Sequence, residues 1–296
     1  MALQPSILEC LACNSSSFAN TEQTLVCQSC GAEYPLIDGI PVLVRDWSAH
    51  RATIDEARTV NPCWYQTEQP AEQASPWRHH LRKRRLYVTG VIERHLKSMG
   101  VARVSRLLDL GCGDGGHLGW LSDFAEEVHG SDYSLVRLTR AKHRSANANL
   151  FLADILDYPC ADGTFDIVYF NHVIEHIPDD VAALRTVHRI LRPGGIAIVG
   201  TPNEGAWWWQ LAYRRAPETR ATTDHVHFYT DNLISSRMTQ AGLAVSEIKH
   251  IGWGPPDWQL DGRIRKHKWV DDAFELFGRA FIPRQASSLY VIAGKS

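Results

Sequence analysis

The fold is decided by the stretch Val104-Ser-Arg-Leu-Leu-Asp-Leu-Gly-Cys-Gly-Asp-Gly-Gly116. Its first half is an apolar, β-prone run that leads directly into a glycine-rich turn, and a helical pattern follows over residues 117–125. Gly111, Gly113 and Gly116 satisfy the spacing G-x-G-x-x-G, in which glycines let the backbone turn tightly and let a ligand approach the main chain. The stretch predicts the first strand and helix of an α/β fold, with a nucleoside bound at the turn between them.

The alternation of strand and helix continues beyond this turn. Apolar, β-prone runs predict strands at 127–130, 149–153, 165–171 and 196–200, and amphipathic patterns predict helices at 135–145 and 179–191 with a turn at 192–195. Such alternation is typical of a largely parallel sheet with helices on both faces.

The charges near the turn distinguish between two ligands that use the same glycine spacing. A dinucleotide would place its pyrophosphate at the helix N-terminus, where Asp109 and Asp114 would repel it. S-adenosylmethionine has no phosphate, and its cationic end suits Asp109. Asp132 suits the ribose hydroxyls, and Asp154 suits the adenine amino group, with Ile155 beside the ring. We therefore predict S-adenosylmethionine as the cofactor, with a nicotinamide dinucleotide as the alternative.

Residues 106–202 resemble the class I methyltransferases. The matching stretches are LLDLGCGDG, the acid in GSDYS, ADI, FDIVYFNHVIEHIPD and LRPGGIAIVGTPN. The form HVIEHIPD followed by TPN is most similar to the branch that contains ubiquinone-biosynthesis O-methyltransferases. This resemblance implies a Rossmann-like sheet with further strands near 243–249 and 288–293, and cofactor contacts from the residues that follow the fourth strand. The predicted cofactor-binding residues are Asp109, Gly111, Cys112, Gly113, Asp132, Tyr133, Asp154, Ile155, Asn171, His172 and Val173.

Two C-x2-C pairs near the N-terminus predict a metal site. They are Cys10-Leu-Ala-Cys13 and Cys27-Gln-Ser-Cys30, and 13 residues separate them. Paired knuckles at this spacing are typical of a closed four-thiolate zinc site with a structural role, and a redox role for the pairs is the alternative. The segment Tyr34-Pro-Leu-Ile-Asp-Gly-Ile-Pro-Val-Leu-Val44 that follows resembles a zinc-ribbon family that includes small methyltransferase activators. The resemblance leaves open a protein partner bound through the ribbon.

These features predict three regions. They are a β-rich zinc ribbon at 1–45, a polar linker at 46–76 with room for one short helix, and a methyltransferase domain at 77–296 that begins with a helix ending near Met99. Two tryptophan-rich insertions, near 203–230 and 252–286, would lie beyond the carboxyl ends of the strands. They predict a lid over an apolar or aromatic substrate. Ordinary packed helices and a helix in peripheral contact with a membrane are the alternatives.

Histidine is the natural proton acceptor near neutral pH, and three histidines are candidate catalytic bases. His172 follows the fourth strand, and His225 and His227 share one side of an extended segment. The sequence His172-Val-Ile-Glu-His176 also matches an inverted metalloprotease motif, which Pro178 and the strand end disfavour. In the resembled family some members bind a divalent ion beside Glu175 and His176, so magnesium is left open.

Composition narrows the function further. The chain has 296 residues and a formal net charge of -2, so no global basic field would hold nucleic acid. We see neither a signal peptide nor a membrane-spanning run, and we predict a cytoplasmic protein. The predicted reaction is O-methylation of a small apolar or aromatic metabolite. An RNA methyltransferase and a non-catalytic scaffold that recruits a protein partner are the alternatives.

Overall fold

The computed structural model describes residues 7–60, 67–221, 224–255 and 258–295. They form two compact units. The first unit takes the described residues of Met1–Gln69, Ala102–Tyr169 and Arg185–Gly195, and the second takes those of Pro70–Val101, Phe170–Leu184 and Ile196–Ser296.

The strands and helices are numbered along the chain. The strands are β1 (Phe18–Asn20), β2 (Thr24–Cys27), β3 (Glu33–Ile37), β4 (Ile40–Leu43), β5 (Val104–Leu110), β6 (Ala125–Asp132), β7 (Asn149–Ala153), β8 (Phe165–Asn171), β9 (Leu191–Pro202), β10 (Ala244–Ile251) and β11 (Ser288–Gly294). The helices are α1 (Trp47–Val60), α2 (Arg78–Met99), α3 (Leu118–Leu121), α4 (Leu135–Arg144), α5 (Asp180–Ile190), α6 (Trp207–Arg215), α7 (Glu218–Ala221), α8 (Asp231–Gln240), α9 (Trp258–Ile264) and α10 (Lys268–Phe281).

In the first unit, a parallel sheet is extended at one edge by the N-terminal strands. The order is β1-β2-β3-β4-β7-β6-β5, and β4, β7, β6 and β5 run parallel to one another. The N-terminal strands pair antiparallel, and β4 then pairs with β7 through Val42 opposite Leu152 and Leu43 opposite Ala153. The N-terminal strands, of which β2 ends at Cys27, therefore continue the central sheet of this unit.

In the second unit, β11 lies between β9 and β10 and runs antiparallel to both. Strands β10 and β11 are the two further strands that the family resemblance implies. Strands β8 and β9 each pass from one unit into the other along the chain.

The strands predicted at 104–110, 149–153 and 165–171 have the same bounds in the structure. The helix predicted at 117–125 is wrong in length, because α3 is a single turn and β6 already begins at Ala125 to pair with Val104. The turn predicted at 192–195 lies inside β9 as a bend at Gly194, whose φ is 78°.

The polar segment at 46–76 contains more regular structure than its composition indicates. Asp46 caps the N-terminus of α1, because its side chain accepts a hydrogen bond from the amide of Ala49 at 2.9 Å. A short 3-10 turn, Glu72–Ala74, follows. Residues 61–66 lie outside the described part, and the domain boundaries at 45 and 76 stay predictions. Among the helices of the described ranges, none combines the length and the apolar character needed to cross a bilayer.

His129 on β6 makes the stability of the first unit depend on pH. Its side chain is 2% exposed, and burial lowers its pKa to about 4, although Glu127 partly opposes this shift. Below a pH of about 6.5 the unfolded chain binds a proton that the folded chain rejects. We therefore expect the free energy of unfolding to fall as the pH drops from about 6.5 to about 4, by up to about 1.4 kcal/mol per pH unit from this residue.

Urea unfolding at a series of pH values would test this expectation. His129→Asn should flatten the decline, whereas His143→Asn, at an exposed position of α4, should leave it unchanged. If the free energy of unfolding depends equally on pH in the two variants, the decline does not arise from His129.

Candidate active site

The glycine turn of the first unit is held against the end of β6. The amides of Gly111 and Cys112 donate to the carbonyl of Ser131 at 2.8 and 2.9 Å, and the amide of Gly113 donates to Oδ2 of Asp132 at 2.8 Å. Gly111 and Gly113 have φ values of 73° and 54°, a region that favours glycine. The turn therefore has a glycine-dependent conformation next to an acidic side chain, with Gly111 partly exposed and Gly113 buried.

Close packing behind the turn requires Gly115, and this differs from the motif. A Cβ at Gly115 would come within 2.9 Å of Ala141 in α4, whereas Gly116 has no neighbour within 4 Å. Packing against α4 therefore requires Gly115 and does not require Gly116, the third glycine of the G-x-G-x-x-G motif. The Cys112 thiol is buried under the turn, where burial raises its pKa, so Cys112 could face a cofactor only through its backbone.

Asp109 has a carboxylate oxygen that is suited to a cationic ligand. The residue is 1% exposed, and its Oδ2 accepts no hydrogen bond from any described residue. The nearest basic atom is Nδ1 of His117 at 3.7 Å. A buried carboxylate oxygen without a donor is costly, and an ammonium group would remove that cost.

Asp114 does not carry the unbalanced negative charge that the sequence analysis assigns to it. Its buried carboxylate faces the guanidinium groups of Arg137 at 3.5 Å and Arg140 at 3.7 Å, and it accepts the amide of Gln69 at 2.8 Å. Its charge is balanced within the protein, so it would not repel a phosphate. Of the two acids near the turn, only Asp109 still disfavours a dinucleotide.

Asp132 is the last residue of β6, and Asp154 directly follows the neighbouring strand β7. Besides Gly113, Asp132 binds the amide of Ser134 at 2.8 Å, and burial raises its pKa. Asp154 accepts the amide of Leu156 at 2.9 Å and begins the 3-10 turn Ile155–Asp157. Because these parallel neighbours end at the same sheet edge, Asp132 and Asp154 both lie at that edge, and their roles toward a ribose and an adenine stay predictions.

Helix α1 brings an unpredicted residue to this edge. Nε2 of His50 hydrogen bonds to the carbonyl oxygen of Tyr133 at 2.8 Å, and the two rings lie 4.1 Å apart. The Trp47 ring also stacks with the His50 ring, with ring centres 5.7 Å apart. No motif marked this helix, because it looks like a polar linker in the sequence.

The second unit contains the loop that follows β8. Oδ1 of Asn171 is buried without a hydrogen-bond donor among the described residues, beside Gly200, where a Cβ would lie 2.1 Å from it. His172 has a φ of 55°, and its amide donates to the carbonyl of Gly200 at 2.8 Å. A left-handed conformation is costly for a residue other than glycine and is often found at functional sites. Val173 comes next and precedes the 3-10 turn Ile174–His176.

The His172 ring lies between a carboxylate and a guanidinium. Its Nδ1 is 3.2 Å from Oε1 of Glu175, and Arg84 of α2 donates to its Nε2. Burial and the Arg84 charge lower the pKa of His172 to about 4, although Glu175 opposes the shift. At neutral pH the ring is therefore uncharged, and Arg84 occupies the lone pair that a base would need.

Glu175 is the centre of a small polar cluster. It is 1% exposed, and its Oε2 accepts the hydroxyl of Thr201 at 3.3 Å. Burial would raise its pKa, but His172 and His176 outweigh burial and lower it. Ligand atoms of Glu175, His176 and His225 lie within 4.8 Å of one another. Two imidazoles and one carboxylate do not fit magnesium, which prefers oxygen ligands, so the magnesium role left open by the sequence has no support here.

The other two candidate histidines differ in their surroundings. His225 joins the Glu175 cluster, and its Nδ1 is 3.8 Å from Glu204 and has no hydrogen-bond partner among the described residues. Burial opposes its charge, but Glu204, Glu175 and Asp224 outweigh burial and raise the pKa of His225. His227 instead bonds through Nε2 to the carbonyl of Pro178 at 3.0 Å. The structure therefore does not bring His227 into the cluster.

The four cysteines of the first unit converge. Their sulfur atoms all lie within 4.8 Å of one another, and the pairs Cys10–Cys30 and Cys13–Cys27 are each 3.6 Å apart. A tetrahedral zinc ion with Zn–S bonds of about 2.3 Å separates its sulfurs by about 3.8 Å. The arrangement is compatible with zinc.

Residues 108–199 match the family described as methyltransferase domain. The chain is 29% identical over 183 residues to the ubiquinone biosynthesis O-methyltransferase of Ruegeria pomeroyi, covering 58% of this chain and 73% of that protein. It is 34% identical over 111 residues to the malonyl-acyl-carrier-protein O-methyltransferase of Pseudescherichia vulneris, covering 38% and 44%. The chain spans about half the length of most curated relatives that it matches, for example 59%, 44% and 40% of three of them.

Solved structures share the architecture. A chain from the complex between the Haloferax volcanii Trm112 methyltransferase activator and its methyltransferase superposes with a TM-score of 0.53 at 17% identity, covering 83% of this chain and 96% of that one. The fold is that of a class I methyltransferase. A geranyl diphosphate methyltransferase shares this methyltransferase fold with a TM-score of 0.50 at 17% identity, covering 70% and 77%.

Proposed function

We propose that the chain transfers a methyl group from S-adenosylmethionine to an oxygen atom of a small apolar or aromatic metabolite. The observation that carries the cofactor assignment is the buried Oδ2 of Asp109, which lacks a hydrogen-bond donor among the described residues. It lies in the same unit as the acids at the ends of β6 and β7, Asp132 and Asp154. The methyltransferase domain match over 108–199 and the relatives named as O-methyltransferases support the same reaction.

The residues present fit the cofactor in three ways. In our proposal Asp109 faces the ammonium group, Asp132 accepts the ribose hydroxyls, and Asp154 accepts the adenine amino group beside Ile155. When bound, S-adenosylmethionine supplies the methyl group of its sulfonium, and the sulfur leaves as a neutral thioether. The loop Asn171–Val173 contacts the methionine portion, as the family resemblance implies.

We assign the general base to His225. Its raised pKa makes it a stronger proton acceptor at neutral pH than His172, whose pKa is about 4. The acceptor hydroxyl loses its proton to the His225 ring as the O–C bond forms, and Glu204, facing Nδ1, stabilises the resulting imidazolium. His172 and Glu175 position the loop, and the aromatic rings of α6, such as Trp209 stacked on Tyr213 at 5.8 Å, suit an apolar acceptor.

Replacing the proposed base gives a sharp test with a matched control two residues away. We expect His225→Asn to lower kcat by roughly a hundredfold or more, because general base catalysis contributes about that much. His227→Asn should change kcat little, because His227 bonds to backbone. In the unaltered protein, the acid limb of kcat/KM should lie above the ordinary histidine pKa and should be absent in His225→Asn. Equal losses in the two variants would contradict the assignment.

We also propose that the four cysteines hold one structural zinc ion and that the zinc ribbon offers a surface to a protein partner. The convergence of the four thiols supports the zinc, and the resemblance of residues 6–45 to small methyltransferase activators supports the partner. A closed four-thiolate site leaves no position for substrate, so zinc takes no part in the transfer.

Incubation with S-adenosylmethionine labelled on its methyl group would test the acceptor class. We expect label to enter the organic-soluble fraction of a small-metabolite extract and to survive mild base, as a methyl ether does. Label found only in total RNA would overturn the acceptor class, and cofactor binding without label in any fraction would favour a scaffold.

A further inference from the structure

Helix α10 of the second unit is amphipathic in the opposite sense from an ordinary surface helix. Two of its three buried residues are acidic, Asp271 and Glu275, which are only 1% and 9% exposed. Its outward positions are large and apolar, and their exposed fractions reach 74%. These outward residues are Trp269, Leu276, Phe277 and Phe281. A surface helix normally buries its apolar stripe, whereas the described residues leave this one uncovered.

The buried charges fix this orientation. Arg265 reaches Oδ1 of Asp271 at 2.7 Å, and Lys83 of α2 reaches its Oδ2 at 2.6 Å. Rotating α10 to bury its aromatic rings would break these ion pairs and leave an unpaired charge inside the protein, which is strongly destabilising. The apolar face is therefore held outward by the fold itself.

The exposed charges of the segment that contains this helix are mostly positive. Between residues 258 and 284, three of the four acids are buried, and the fourth, Asp272, has a side chain that is 43% exposed. Five basic side chains of the same segment are exposed. They are Arg263, Lys266, Lys268, Arg279 and Arg284.

We propose that α10 docks on the surface of an anionic phospholipid bilayer. Aromatic and leucine side chains would enter the boundary between headgroups and acyl chains, and the surrounding lysines and arginines would bind anionic headgroups. A second copy of the chain fits less well, because a two-fold contact through this face would bring the same basic residues together. This proposal goes beyond the methyl transfer, and its test does not require activity.

Flotation of the purified full chain with lipid vesicles would test the proposal. We expect binding to vesicles of phosphatidylcholine with about 30% phosphatidylglycerol, and binding at least about tenfold weaker to phosphatidylcholine alone. The double variant Phe277→Ser with Phe281→Ser should lose most of the binding to anionic vesicles. Leu86→Ser serves as the matched control, because Leu86 is 56% exposed and Phe277 is 55% exposed. Leu86 lies on α2.

A charge variant separates the electrostatic contribution to vesicle binding from the contribution of the apolar side chains. Arg263→Glu with Lys266→Glu and Arg284→Glu should reduce binding to anionic vesicles roughly as strongly as high salt does. Thermal unfolding and cofactor binding should be unchanged in these variants. The proposal would be overturned if the unaltered protein does not bind anionic vesicles, or if the serine variant binds them as well as the unaltered protein does. A dimer that the serine variant dissociates, without vesicle binding, would assign the face to a second copy instead.

Discussion

Asp132→Asn is expected to weaken the binding of S-adenosylmethionine roughly a hundredfold. In our proposal this carboxylate accepts both ribose hydroxyls, and hydrogen bonds to a charged group are each worth about 1.5–3 kcal/mol. A total of about 3 kcal/mol corresponds to roughly a hundredfold in affinity. Asparagine retains one acceptor oxygen for the amide of Gly113, so the turn itself should persist. Titration calorimetry measures the affinity directly.

The matched control is Glu127→Gln, on the same strand. Glu127 lies toward the other end of β6 and pairs with Arg106 at 3.0 Å, so its replacement should leave cofactor affinity unchanged. If the two variants bind S-adenosylmethionine equally well, Asp132 does not hold the ribose.

Cys27→Ser is expected to release the zinc and to destabilise the first unit. Structural zinc sites contribute about 10–16 kcal/mol of apparent binding free energy, which is coupled to folding. Because β4 pairs with β7, disorder in the ribbon should reach the edge of the central sheet. We expect about one zinc ion per chain in the unaltered protein, almost none in the variant, and a melting temperature lower by at least about 5 °C.

Mass-spectrometric metal analysis and thermal unfolding would check both parts. Cys160→Ala is the control, because Cys160 is a fully buried thiol of the same unit outside the four-cysteine cluster. It should keep its zinc. A Cys27→Ser protein that retains stoichiometric zinc would contradict the four-thiolate site.

The sequence predicted the strands around the cofactor site well, for a physical reason. Strands such as β7 and β8 are buried on both faces, so they are continuous apolar runs with clear ends. The position of Asp132 and Asp154 at one sheet edge was also predictable, because parallel strands place their carboxyl ends at one edge. The alternation of strand and helix predicted an α/β fold, and the resemblance over 106–202 implied the class I methyltransferase sheet. The similarity to solved structures confirms this fold.

Other features depend on tertiary contacts that no local pattern records. The neutralisation of Asp114 depends on Arg137 and Arg140, more than twenty residues away along the chain. Helix α1 carries few buried residues, so its composition resembles a linker. The pairing of β4 with β7 joins segments about 110 residues apart, which single-sequence patterns cannot show. The cytoplasmic location and the role of each histidine stay predictions.

The central claim is that a phosphate-free, cationic nucleoside binds at the glycine turn. Titration calorimetry of the unaltered protein with S-adenosylmethionine and, separately, with NAD tests it most directly. We predict micromolar or tighter binding of S-adenosylmethionine and no measurable heat with NAD. Binding of NAD in preference to S-adenosylmethionine would contradict the account.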